Sequence, residues 1–150
     1  MYCVIKTLAG NLKIEEETGF ITGISFTNEA VCSSSSNVLK TAAAQLNEYF
    51  LKQRKTFDLP LKFHGTDFQK KVWKVLLEIP YGSVRSYKEI AISIGNEKAA
   101  RAVGMANHKN PIMIVVPCHR VIGSNGTMTG YAYGIAIKEK LLELEGIIKR

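Results

Sequence analysis

The first 26 positions fall into three short runs of apolar and polar residues broken at glycines. Tyr2–Leu8, Asn11–Glu16 and Gly19–Phe26 are rich in β-branched residues and are separated by Ala9-Gly10 and Thr18-Gly19. That pattern predicts three strands joined by hairpins. The polar run Ser33–Ser36 predicts a loop whose last serine caps a helix over Val38–Arg54, where Leu39, Ala42, Ala43, Leu46, Tyr49 and Phe50 recur at helical spacing. Phe57–Phe63, with Pro60 inside it, reads as a connector. It predicts a lobe over 1–60 and a second over 61–150.

The period then changes. Thr66 with Gln69 fits a capping box, and Phe68, Val72, Val75 and Leu76 form the apolar face of a helix ended by Ile79-Pro80-Tyr81-Gly82. Trp73 reads as core, and Lys70, Lys71 and Lys74 as a solvated face. Ser86–Ile94 and Glu97–Ala106 predict two short helices joined across Gly95-Asn96, the second lined with alanines. A helix, a tight glycine turn and a small-residue helix form a helix-turn-helix pattern, which DNA-binding proteins share with plain helical hairpins. Ile112–Val116 predicts a short buried strand, Ser124-Asn125-Gly126 a turn, Thr129–Gly134 a loop, and Ile135–Ile147 a last helix.

Composition narrows the class. The chain of 150 residues suffices for one domain or two small lobes. It contains no long apolar run, and its N-terminus lacks a signal pattern, so a cytoplasmic protein is expected. Three cysteines without framework spacing fit free thiols in a reducing compartment. Residues 1–60 hold six Lys/Arg and six Asp/Glu, so the whole net charge of +7 lies in residues 61–150, with fourteen Lys/Arg against seven Asp/Glu. A polyanion partner and a generally basic surface both fit that division.

Pro117-Cys118-His119-Arg120-Val121 carries the chemistry. A thiol attacks as its thiolate, and an adjacent imidazole can take the proton. A core cysteine beside a surface histidine is the plainer alternative. Neighbours in an extended strand point to opposite faces, so the pair needs a turn-like backbone to cooperate.

The run around Cys118 resembles the active-site signature of the O6-alkylguanine-DNA alkyltransferases. The resemblance continues through Phe68-Gln69, Val72-Trp73, Ile79-Pro80-Tyr81-Gly82, Ser86-Tyr87, Lys98–Gly104, Asn110-Pro111, Gly130-Tyr131-Ala132 and Lys138–Gly146, in matching order over roughly residues 62–147. It implies an α+β fold: a small ribonuclease H-like N-terminal lobe of antiparallel strands plus a helix, packed on a mostly helical, winged-helix-like C-terminal lobe with a helix-turn-helix. It implies direct, irreversible transfer of an alkyl group from O6-alkylguanine in double-stranded DNA to Cys118, with O4-alkylthymine as an open second substrate. No cofactor is implied, and a monomer is expected.

The resemblance also implies site roles. Cys118 is the acceptor, His119 its base through a bridging water, and Glu145 the carboxylate that orients the imidazole. Asn110 holds the loop, although alone it reads as a turn residue. Tyr87 reaches the guanine ring and the flipped nucleotide's phosphate, although alone it reads as core. Arg101 fills the space the flipped base vacates, while Ala100 and Ala102 let the helix approach the minor groove. Arg120, Lys98 and Lys109 are phosphate or structural contacts. The carbonyls of Cys118 and Val121 and the amide of Ala132 face the base, with Tyr131 and Tyr133 lining the pocket. Tyr133 stands where relatives usually carry a small residue, which predicts weaker handling of bulky adducts. His64 and His108 are isolated and Cys3 and Cys32 lack a matched pair, so no zinc is expected; Cys3 reads as strand core and Cys32 as partly buried. The alternatives from other classes are a non-catalytic, alkyltransferase-like reader of damaged DNA, in which tryptophan typically replaces the cysteine, and a transcriptional regulator, for which 150 residues leave no room.

Overall fold

Three strands open the chain: β1 (Tyr2–Thr7), β2 (Gly10–Glu17) and β3 (Phe20–Phe26), antiparallel in the order β1-β2-β3. The computed structural model describes residues 1–126 and 131–148. Register decides which side chains go inward. Cys3 stands opposite Ile14 and Ile14 opposite Ile24, so one row across the sheet is apolar and buried. Helix α1 (Asn37–Phe50) covers the sheet with Leu39, Ala42, Leu46, Tyr49 and Phe50. Ser36 caps it by accepting from the Leu39 amide at 3.3 Å. The helix ends before the predicted Arg54 because Lys52 turns left-handed, with φ 62°. Arg54 instead hydrogen-bonds Glu48 at 3.0 Å.

These elements belong to a unit made of Met1–His64 and Pro111–Met113; the other comprises Gly65–Asn110 and Ile114–Arg150. The strand predicted over Ile112–Val116 is only partly realised. Ile112 bridges Ile24 in parallel, with Ile24 N–H donating to Pro111 O and Met113 N–H to Ile24 O, each at 2.9 Å. Ile114 then breaks the strand at φ 71°, a conformation that costs a β-branched residue about 1–3 kcal/mol. Its side chain is fully buried, which returns about 1.5–3 kcal/mol. Burial therefore offsets the turn.

The second unit is mainly helical. It contains α2 (Asp67–Leu76), strand β4 (Arg85–Ser86), α3 (Tyr87–Ser93), α4 (Ala100–His108), strand β5 (Val121–Ile122) and α5 (Ile135–Leu144). Thr66 with Gln69 and Ser86 with Glu89 form complete capping boxes on α2 and α3. The second helix of the helix-turn-helix begins as a 3-10 turn over Glu97–Ala99 and runs on past the predicted Ala106 to His108. β4 and β5 pair in parallel, Arg85 with Val121 and Ser86 with Ile122. No helix among the described residues is long and apolar enough to cross a membrane.

Trp73 anchors this unit's core, 2% exposed, and its indole N–H donates to Ala106 O at 2.9 Å. Gly65 is shaped to that ring: a Cβ there would lie 2.7 Å from Trp73 Cη2 and 2.8 Å from Gln69 Oε1. The buried ring has no room to retreat. Gly65→Ala is expected to lower unfolding free energy by roughly 1–3 kcal/mol in urea titrations, and an unchanged midpoint would refute the contact.

Candidate active site

The site lies within the second unit, where a 3-10 turn over Cys118–Arg120 meets the C-terminal end of α5. The turn is closed by Cys118 N–H to Val116 O at 2.8 Å and Arg120 N–H to Pro117 O at 3.0 Å. It supplies the non-extended backbone that adjacent Cys118 and His119 require. Asn110, 6% exposed, fixes the approach by donating from Nδ2 to Val116 O at 2.8 Å. Glu145 caps α5, and Gly146 at φ 78° stops the helix behind it with Ile147 N–H bonding Leu142 O at 2.9 Å. That stop holds the carboxylate facing the turn.

Glu145 is the hub. Its Oε2 lies 2.7 Å from His119 Nε2. Arg120 donates from Nε to Oε1 at 2.8 Å and from Nη2 to Oε2 at 3.0 Å, and the Gly82 amide donates to Oε1 at 3.1 Å. A third Arg120 bond, from Nη1, reaches Ile79 O at 2.7 Å. Burial alone would raise the carboxyl's pKa, but the bonds from His119 and Arg120 outweigh it and hold the group at about 2.

Burial holds His119 below its ordinary value, against the pull of Glu145, with Arg120 and Lys138 also opposing its charge. The imidazole is therefore neutral near pH 7. An ionised Glu145 can only accept, so Nε2 carries the proton and Nδ1 keeps a lone pair. Nδ1 is buried and has no partner among the described residues. Burial pushes the Cys118 thiol up to about 11, while a hydrogen bond with Asn110, the charge of Lys138 and the backbone of Cys118 and His119 favour the thiolate.

Lys138 is a component that the sequence reading left unassigned. It is fully buried on α5, donates from Nζ to Val121 O, and burial lowers its pKa to about 8 against the pull of Cys118. A signal existed. Lys138 stands three and four residues before the buried Leu141 and Leu142, where the helical stripe asks for an apolar residue. Asn107, 2% exposed, was also unassigned; its Nδ2 donates to Cys118 O at 3.3 Å.

Other expected residues are distributed more widely. Arg120, expected at the nucleic-acid surface, is 5% exposed and bound to Glu145 and Ile79, so it cannot reach a phosphate. The carboxylate draws the guanidinium inward. Arg101 and Ala102 are exposed on α4, whereas Ala100 and Tyr87 are half-buried, the Tyr87 ring lying 3.8 Å from where a Cβ on Gly104 would stand. Val121 and Tyr131 are buried, Ala132 is exposed, and Tyr133, 38% exposed, sets its ring 6.4 Å from that of Tyr131. Gly130 and Thr129 lie outside the described residues. Lys98 and Lys109 are exposed, and His64 hydrogen-bonds Glu17 at 3.0 Å. Cys3 is buried as expected, but Cys32, expected partly buried, is exposed.

Comparison with known proteins places the chain in a family. Residues 67–147 match the 6-O-methylguanine DNA methyltransferase DNA-binding domain, and residues 1–63 match that family's ribonuclease-like domain. The methylated-DNA–protein-cysteine methyltransferase of Methanosarcina barkeri is 62% identical over 106 residues, covering 71% of this chain and 67% of the relative. The constitutive enzyme of that name from Bacillus subtilis is 46% identical across 97% of this chain and 95% of its own. The structure of Mycobacterium tuberculosis OGT in complex with DNA superposes with a TM-score of 0.88 at 46% identity, covering 97% of this chain and 92% of that one. The chain belongs to the 6-O-methylguanine DNA methyltransferase family.

Proposed function

We propose that the protein repairs alkylated DNA directly, each molecule taking one alkyl group from O6-alkylguanine in a duplex onto Cys118. The observation that carries this reading is the buried Cys118 thiol beside a neutral imidazole held by an ionised carboxylate. An alkyltransferase-like reader of damage would have no use for that arrangement. With Cys3, Cys32 and Cys118 in no disulfide, the protein fits a reducing compartment, the cytoplasm.

In the reaction, His119 Nδ1 receives the Cys118 proton through a water, and Glu145 stabilises the imidazolium. The thiolate Sγ attacks the alkyl carbon, forming C–S as the C–O6 bond breaks, and the electron pair leaves on guanine, which takes up the proton. The products are S-alkylcysteine and repaired guanine, so atoms balance without a cofactor. A thiol at about 11, with Lys138 already favouring the thiolate, costs about 5 kcal/mol to ionise at pH 7, which is why a base must take its proton.

The target oxygen lies inside the duplex, so the nucleotide must flip out, with Arg101 on exposed α4 filling the gap and Tyr87 meeting the flipped nucleotide. The carbonyls of Cys118 and Val121 receive the guanine amine on their second lone pairs, since Asn107 and Lys138 already anchor the first. Tyr133 narrows the space beside Tyr131.

Incubation with duplex DNA containing O6-methylguanine is expected to add one methylene mass to the protein, on Cys118, with none added to Cys118→Ala. No mass gain at stoichiometric DNA would end the reading. Tyr133→Gly is expected to raise the rate on O6-benzylguanine relative to O6-methylguanine; an unchanged ratio argues against a role for that ring. The ion pair carries a pH signature. Glu145 stays ionised to about pH 2 in the fold, whereas its ordinary value is 4.5. Between those values the unfolded chain holds the proton and the folded one does not, so stability is lost as pH falls, by about 3 kcal/mol. Glu145→Gln is expected to be less stable throughout and flatter between pH 4.5 and 2, measured by denaturant unfolding at each pH.

A further inference from the structure

Helix α4 divides cleanly around its axis. Val103, Ala106 and Asn107 are buried against the rest of the unit, while Arg101, Ala102, Met105, His108 and the capping Lys109 are exposed. Arg101, Met105 and His108 follow one another at i, i+4 and i+7, which places them in a single stripe about 10 Å long. The segment Ala100–Lys109 contains no carboxylate. Met105 is 60% exposed at the centre of this stripe, so the fold makes little use of its side chain. Ala102 beside it leaves the methionine standing above its surroundings.

A stripe of Arg101, Met105 and His108 with Lys109 at the helix end sets an apolar chain between polar and cationic groups, which complements a nucleic-acid groove. Phosphate rails take the charges, and the apolar faces of sugars and partly unstacked bases take the hydrocarbon. Resting on the DNA-repair reading, we infer that Met105 is an apolar wedge of α4, seated in the minor groove of duplex DNA between the contacts of Arg101 and those of His108 and Lys109. Its flexible thioether suits a surface that varies with sequence, as repair independent of sequence requires. The wedge adds affinity that salt does not screen, because desolvating hydrocarbon releases no counterions.

The test measures binding of the full chain to undamaged duplex DNA by fluorescence anisotropy across a salt series. Met105→Ala is expected to weaken binding about three- to tenfold at every salt concentration, with the slope of log K against log salt unchanged. Lys109→Ala is expected to reduce that slope by about one. Met105→Leu is expected to bind within about twofold of the parent chain, since the contact depends on hydrocarbon rather than on sulfur. Thermal unfolding of Met105→Ala should match the parent, its side chain being exposed. Equal affinities for Met105→Ala and the parent overturn the inference alone, provided the parent binds DNA and accepts the methyl group. If the parent fails to bind duplex DNA at all, the inference and the repair reading fall together.

Discussion

The active unit is organised around one buried carboxylate. Glu145 accepts from His119, twice from Arg120 and from the Gly82 amide, which joins the Cys118 turn, the loop after α2 and the end of α5. A carboxylate so placed without partners would carry a desolvation penalty of several kcal/mol. Four hydrogen bonds fix its charge, and that charge fixes the rest: an ionised Glu145 selects the His119 tautomer with its lone pair on Nδ1. The geometry around Cys118 and the local stability thus rest on the same contacts.

Around that hub the charges are set in opposition. Arg120 and Lys138 both disfavour a protonated His119, while Lys138 favours an ionised Cys118. The two cations therefore help keep the resting imidazole neutral at a cost to its basicity, and Lys138 eases the thiol toward giving up its proton. Neither is free to wander. Arg120 is bound by Glu145 and Ile79, and Lys138 by the Val121 carbonyl. The resting thiol stays protonated because burial dominates.

Much of the fold was legible in the chain because its signals are local. Ser36, Thr66 and Ser86 each sit next to the helix they cap, and the hairpins of β1–β3 follow from β-branched-rich runs interrupted at glycines. The pairing of Cys118 with His119 was legible as a motif, together with its need for a turn. Less legible were the short parallel pair β4–β5, whose strands are far apart in sequence, and the left-handed Ile114, where a β-branched residue gives no warning of a turn. Ile114 adopts that backbone because its buried side chain offsets the strain.

By itself the sequence determined much of the strand and helix order, the caps and the basic second half, each of which depends on residue type and spacing; a place for Glu145 beside Cys118 and His119 came only through the family resemblance. The tertiary structure alone decided which charged residues are inside. Arg120 reads in the chain as a phosphate or structural contact and Lys138 carries no assigned role, yet Glu145, 25 residues beyond Arg120, draws one inward, and the Val121 carbonyl, 17 residues before Lys138, holds the other. A charge enters a protein core only when a distant partner is brought to it, and that partner exists only once the chain has folded.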